Sequence, residues 1–268
     1  MSKIQEAINQ SRKRAQKTGV AATGTFKRVD LPPAAALTVL QGQPTLTLDA
    51  DAMERNCILP FVETKGAKSA YMLLRTRLLQ RMRGNNWRSV MVTSAVPEDG
   101  KTTTAINVAV GISQDVNQAA LVVDFDLERP RIAKGLGLER TTGLSDYLRG
   151  DAECEDVIYN TDVERLFVVP NFDKMSATES LVTPRLLALL DHIKQLDSNL
   201  IVIIDLPPIL SSDIVIAIAP HVDSLLLVIS ESSTQRGLLQ RASAMIEDVP
   251  RAGTVLNRST EGDSGGYY

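Results

Sequence analysis

Short runs of β-branched and aliphatic residues recur along this chain and alternate with stretches whose apolar positions repeat every three to four residues. The runs at Ser89–Thr93, Ala120–Asp124, Leu166–Pro170, Leu200–Asp205, Ser224–Ser230 and Thr254–Asn257 predict strands. Several are apolar at consecutive positions, as a strand must be when both its faces are buried in a parallel sheet. A helix is predicted over Ala67–Met82, where Leu73, Leu74, Leu78 and Leu79 form a stripe among Arg75, Arg77 and Arg81. Further helices are predicted over Lys101–Ser113, Ser145–Leu148, Thr183–Leu196, Ser212–Ile218 and Thr234–Glu247. This βαβ rhythm makes the expected fold α/β, a mostly parallel central sheet with helices on both faces.

The two ends depart from that rhythm. From Ser2 to about Lys17, the residues Ile4, Ala7, Ile8 and Ala15 sit among cations as a short helix with a thin apolar face, for which Ser2 is an available N-cap. Residues 18–55 carry Gly19, Gly24, Pro32, Pro33, Gly42 and Pro44 without a sustained period and read as a linker. Beyond residue 260 the sequence is Gly-rich and polar until Tyr267 and Tyr268, which predicts a mobile tail. The expected division is 1–57 as basic helix and flexible linker, 58–259 as the folded domain, and 260–268 as the tail.

Composition adds constraints rather than a fold. With 268 residues, 44% of them apolar, the chain is long enough for one good core. Apolar stretches such as Leu200–Ile204 and Ile214–Ala219 fall far short of the roughly 20 residues of a spanning helix. No apolar core with a small-residue cleavage site follows the N-terminus, so a cytoplasmic protein is expected. Cys57 and Cys154 lie far apart without metal-ligand spacing and read as plain thiols. Residues 1–20 hold five cations and one acid, which leaves the remainder of a chain of net charge −3 at −7. An acidic body is a poor general binder of nucleic acid, whose affinity comes largely from clustered Lys and Arg, so no nucleic-acid partner is expected.

Directly after the first predicted strand comes Ala95-Val-Pro-Glu-Asp-Gly-Lys-Thr102, a P-loop pattern with Ala95 in place of the first Gly. Its chemistry follows from the residue types: Gly100 lets the backbone approach phosphate, Lys101 brings a point charge, and the Thr102 hydroxyl can ligate Mg²⁺. Pro97, Glu98, Asp99 and Thr103 complete the expected nucleotide contacts, and the following helix turns its first amides toward the same anion. Strand before and helix after are the context that this motif requires, so the fold expected is a P-loop NTPase. Two more carboxylate sites end strands, at Val123-Asp-Phe-Asp126 and at Ile204-Asp205, where open α/β sheets bind ligands. Asp124, Asp126 and Asp205 converging beside a P-loop would repel one another without a cation, and Mg²⁺ is the simplest one.

Taken together, Tyr71-Met-Leu-Leu-Arg-Thr76, Thr93 to Thr102, Val123-Asp-Phe-Asp-Leu-Glu-Arg-Pro130, Gly143-Leu-Ser-Asp-Tyr-Leu-Arg-Gly150, Ile204-Asp-Leu-Pro-Pro-Ile209 and Val255-Leu-Asn-Arg258 resemble the bacterial tyrosine kinases of polysaccharide export, relatives of the ParA/MinD ATPases. The resemblance implies an ATP- and Mg²⁺-dependent autokinase that controls exopolysaccharide or capsule polymerisation and export. It implies Lys101 and Thr102 as the Walker A pair, Asp205 as the Walker B carboxylate, and Asp124 and Asp126 as a second acidic motif. Asp124 would orient or deprotonate a tyrosine hydroxyl, while Thr102, Asp126 and Asp205 hold Mg²⁺ directly or through water. Asn257 resembles the residue that touches adenine in the superfamily; the alternative is a turn Asn. Tyr267 and Tyr268 would be phosphate acceptors, able to reach a neighbouring subunit of a homo-oligomer. The opening residues resemble kinases that work with a separate membrane chain-length regulator, which would recruit the chain to the inner face of the cell membrane.

Three features depart from the kinase pattern: Glu128, the helix motif ExxRxxR, and a tail of two tyrosines where a larger cluster is usual. Glu128 stands where an Arg is usual, and Val96 occupies the place of the signature lysine of ParA/MinD ATPases. Of the helix motif ExxRxxR, tied to ring assembly, only Arg75 is in register. Besides the autokinase, two other readings are therefore carried: a nucleotide-gated scaffold of the export complex, for which Glu128 speaks, and a ParA/MinD-like positioning ATPase, against which Val96 speaks.

Overall fold

A computed structural model describes residues 40, 42–62, 64–175, 183–231 and 233–259. The predicted N-terminal helix and the tail with Tyr267 and Tyr268 lie outside the described residues. Eight strands form one sheet in the order β1-β4-β5-β3-β6-β2-β7-β8: β1 Thr45–Leu46, β2 Ser89–Ser94, β3 Ala119–Asp124, β4 Tyr159–Thr161, β5 Leu166–Val169, β6 Leu200–Asp205, β7 Ser224–Ser230 and β8 Arg251–Asn257. From β5 to β8 every pairing is parallel; β4 pairs antiparallel with β5 and carries β1 with it.

Helices α1 Ala50–Arg55, α2 Lys65–Asn85, α3 Lys101–Ser113, α4 Ile132–Leu136, α5 Leu144–Arg149, α6 Pro184–Leu196, α7 Ile214–Ile218 and α8 Arg236–Met245 cover the sheet. Alternate strand residues supply two cores, one on each face. Val90, Val122, Val168, Ile203 and Val228 meet α1 to α4 through Met53, Met82, Ile106 and Ile132. Met91, Leu121, Phe167, Ile204 and Leu227 meet α5 to α8 through Leu144, Leu189, Val215 and Ala242. Strands β2, β3, β5 and β6 are buried at every position, which is why their sequences run apolar without alternation.

The stretch read as the last part of a linker is folded. It contributes β1 and α1, with Leu48, Ala52 and Met53 buried. The Asp49 carboxylate caps α1 by accepting from the Asp51 amide at 2.9 Å, and the Asp49 amide donates to the Leu136 carbonyl at 3.0 Å. Asn107 of α3 anchors the exit from α1, accepting from the Leu59 amide and donating to the Cys57 carbonyl. A two-residue strand and a six-residue helix are too short for a periodic signal, and their burial comes from long-range partners. On α2, Arg75 lies against Gly111 and its guanidinium donates to the Gly111 carbonyl at 3.5 Å, so it closes the end of α3.

Candidate active site

The site forms at the carboxyl ends of β2, β3 and β6, the three adjacent strands at the middle of the parallel region. The P-loop turns sharply out of β2. Glu98 holds φ +66° and Gly100 φ +91°, a left-handed backbone that glycine adopts readily and other residues rarely do. Such turns leave successive amides pointing inward, as an anion requires. No side chain caps α3, whose N-cap is Gly100, so its first-turn amides are available to phosphate.

Three outside groups hold the loop in this shape. The Asp99 carboxylate, fully buried, accepts from the Ser233 hydroxyl at 2.8 Å and from the Thr234 hydroxyl at 2.9 Å. The Asn257 side-chain amide donates to the Asp99 carbonyl at 2.9 Å. Next to it, a Cβ on Gly100 would collide with that same amide. None of these clamps was legible in the sequence, because Ser233, Thr234 and Asn257 reach Asp99 from more than 130 residues away.

Around Lys101 the three predicted carboxylates do converge. Its ammonium pairs with Asp126 at 2.6 Å and lies 3.6 Å from Asp205. Thr102 donates its hydroxyl to Asp205 at 2.6 Å. Asp124 and Asp205 are register partners on β3 and β6, so two carboxylates stand side by side at the carboxyl ends of these two central strands. Asp124 Oδ2 accepts from the amides of Arg131 and Ile132 at 3.0 and 2.9 Å, which pins the start of α4; its Oδ1 is buried without a hydrogen-bond partner. Burial, and then the charge of Asp205, push the Asp124 carboxyl well above the usual carboxylate range. Burial also raises Asp205 to about 6, against the opposing pull of Lys101 and Thr102. Burial disfavours the charged Lys101, yet Asp205 and Asp126 outweigh it and hold the ammonium above its ordinary value.

A cavity of about 800 Å³ opens over this cluster. Of the residues expected to contact nucleotide, Pro97, Glu98, Gly100, Lys101, Thr102 and Thr103 line it and Asp99 and Asn257 do not; Asp126 lines it too, together with Pro207 and Pro208 of the loop after β6. Asp124, Asp205 and Asp99 stand behind its wall. The cavity also takes in Asn56, from the region read as linker, Ile58 at the expected start of the folded domain, and Lys134, Lys174 and Arg258, which the sequence did not mark as site residues.

The donor set fits a hard divalent cation. One hydroxyl and neighbouring carboxylate oxygens, two of them (Asp124 Oδ1 and Asp205 Oδ1) buried without a hydrogen bond, are the oxygen ligands that Mg²⁺ takes. Among the described residues, no group of three or more His, Cys, Asp or Glu is placed to hold a metal ion by itself. Mg²⁺ in phosphate-binding sites uses one or two protein ligands and completes its shell with phosphate and water. Among the described residues, no helix is long and apolar enough to cross a membrane.

Comparison with known proteins agrees with this geometry. The tyrosine-protein kinase YwqD of Bacillus subtilis strain 168 is 27% identical over 221 residues, covering 81% of this chain and 92% of that protein. The tyrosine-protein kinase CpsD of Streptococcus pneumoniae serotype 4 is 29% identical over 205 residues, covering 72% of this chain and 85% of its own. The solved kinase domain of the Escherichia coli tyrosine kinase ETK superposes with a TM-score of 0.63 at 27% identity, covering 72% of this chain and 76% of that one. Residues 98–257 match the AAA domain family. The span from the P-loop to Asn257 makes the chain a member of that family, related to the bacterial tyrosine-protein kinases.

Proposed function

We propose that this chain is an ATP-dependent protein tyrosine kinase that phosphorylates Tyr267 and Tyr268 and thereby regulates polysaccharide polymerisation and export. The observation that carries this reading is Lys101 at the head of α3, enclosed by Asp126, Asp205 and Thr102 beneath a cavity lined by the P-loop. Phosphoryl transfer needs positioning and charge neutralisation more than covalent chemistry. The loop amides and Lys101 bind the phosphates, with the ammonium trading Asp126 for a phosphate oxygen. Thr102, Asp126 and Asp205 would hold Mg²⁺, which supplies neutralisation of phosphate charge. Asp124 orients or deprotonates the acceptor hydroxyl: its Oδ1 is without a hydrogen-bond partner, and the amides of Arg131 and Ile132 fix its orientation.

The setting is the cytoplasmic side of the cell membrane, with the basic residues 1–20 engaging a membrane chain-length regulator, and with acceptor tails exchanged within a homo-oligomer. A second reading, the nucleotide-gated scaffold, is favoured by Glu128, an acid at the mouth of the phosphate cavity. Mass spectrometry of the full chain incubated with Mg-ATP, beside Lys101→Met, separates the two. Phosphate on Tyr267 and Tyr268 of the active chain alone is the expected result. Nucleotide binding with no phosphotyrosine leaves the scaffold.

A further inference from the structure

The same cavity has a cationic shelf that neither the P-loop nor the carboxylate cluster uses. Arg131 and Lys134 stand at the start of α4, and Lys174 on the loop after β5; all three are exposed and line the cavity. The shelf is fixed to the reacting end of the site, since Asp124 holds the amides of Arg131 and Ile132, and the Met175 amide donates to the Leu127 carbonyl at 2.9 Å. None of the three side chains is in an ion pair with another described residue. Unneutralised cations gathered on a body of charge −7 are a local exception to the molecule's own field, and they attract an anion from outside.

Strand order says which anion. β3 and β5 lie on one side of the P-loop strand β2, and β8, with Asn257 and Arg258, lies on the other. The phosphates occupy the P-loop amides between the two flanks. The shelf is therefore beside Asp124 and Asp126, on the flank where the acceptor must present its hydroxyl. Resting on the kinase reading above, we infer that Arg131, Lys134 and Lys174 select the acceptor, and that the substrate class is a tyrosine preceded by acidic residues. The chain's own end has that chemistry: Glu261 and Asp263 precede Tyr267 and Tyr268, with no cation after Arg258. Tyr267 follows Asp263 by four positions, at most about 14 Å of extended chain, so one peptide can present an anion and a phenol to the same cavity.

The test uses the full chain with a fluorescent peptide of residues 259–268, and the same peptide carrying Glu261→Gln and Asp263→Asn. Binding is read by anisotropy and transfer by mass spectrometry. The acidic peptide is expected to bind about tenfold more tightly at about 50 mM salt, with the difference collapsing near 500 mM. Lys134→Glu with Lys174→Glu is expected to abolish that discrimination, each peptide affinity being read at saturating Mg-ATP so that altered nucleotide binding cannot mimic the effect. Equal binding of the two peptides, or discrimination that survives the double variant, overturns the proposal. Discrimination without any transfer upholds acidic recognition and defeats the kinase reading instead, so the two fail separately. Mixing the active chain with Lys101→Met identifies the source of the acceptor: label on the Lys101→Met tail comes from a second copy, and concentration-independent label confined to active chains comes from their own tail.

Discussion

The side-chain amide of Asn257 donates to the carbonyl oxygen of Asp99 at 2.9 Å and fills the space where a Cβ on Gly100 would stand. The end of the last strand is thus built into the phosphate loop. With its Oδ1 accepting from the Arg258 amide at 2.9 Å, Asn257 has both ends of its amide engaged by backbone. Asn257, expected from the sequence to serve adenine or a turn, has a further task in the structure as a brace of the P-loop.

That relationship predicts the behaviour of Gly100→Ala. The variant meets two penalties: a left-handed φ of +91°, about 1–2 kcal/mol for an L side chain, and a collision with Asn257. Nucleotide affinity should fall about tenfold or more and thermal stability should drop. Adding Asn257→Ala removes the collision and leaves the φ strain, so a double-mutant cycle should show a favourable coupling. Additive losses in fluorescent-nucleotide titrations would mean the two residues do not share that space.

Asp205 makes the nucleotide-free chain pH-dependent in an unusual direction. Its folded value of about 6 lies above the ordinary 3.8, so the native state holds a proton that the unfolded state has released. Its contribution to stability is therefore present below about pH 4 and lost as pH rises through 6. Asp205→Asn should raise the stability of the nucleotide-free chain at pH 7 by about 1–3 kcal/mol while abolishing phosphoryl transfer. Urea unfolding at pH 5 and pH 7, with and without Mg-ATP, reads this. A variant less stable than its parent at pH 7 contradicts the argument.

Asp124→Asn separates chemistry from binding. An asparagine oxygen can still accept from the Arg131 and Ile132 amides, so α4 should keep its place. Loss of the proton acceptor should lower turnover about 10²- to 10⁴-fold, with nucleotide affinity little changed. Asp126→Asn, which frees Lys101 of its 2.6 Å partner, should instead alter nucleotide affinity as well. If Asp124→Asn transfers phosphate at the parental rate, the proton goes elsewhere.

Sequence alone determined the α/β class, the long parallel strands, α3 and the P-loop, because each rests on local physics: apolar runs buried on both faces, a helical period, and a glycine followed by Lys101 and Thr102. It also marked Asp124, Asp126 and Asp205, since acids ending apolar strands stand out without any knowledge of pairing. Tertiary structure decided everything set by distance in space. Sheet order made Asp124 and Asp205 register partners, and Lys101 folded back onto Asp126 rather than projecting free. The chain's return brought Ser233, Thr234 and Asn257 onto Asp99. It also folded residues 45–55, which lack any period, by burying Leu48 and Met53 under long-range contacts. The cationic shelf belongs to this second class, because Lys134 and Lys174 are ordinary surface lysines until the loops after β3 and β5 bring them to one cavity mouth.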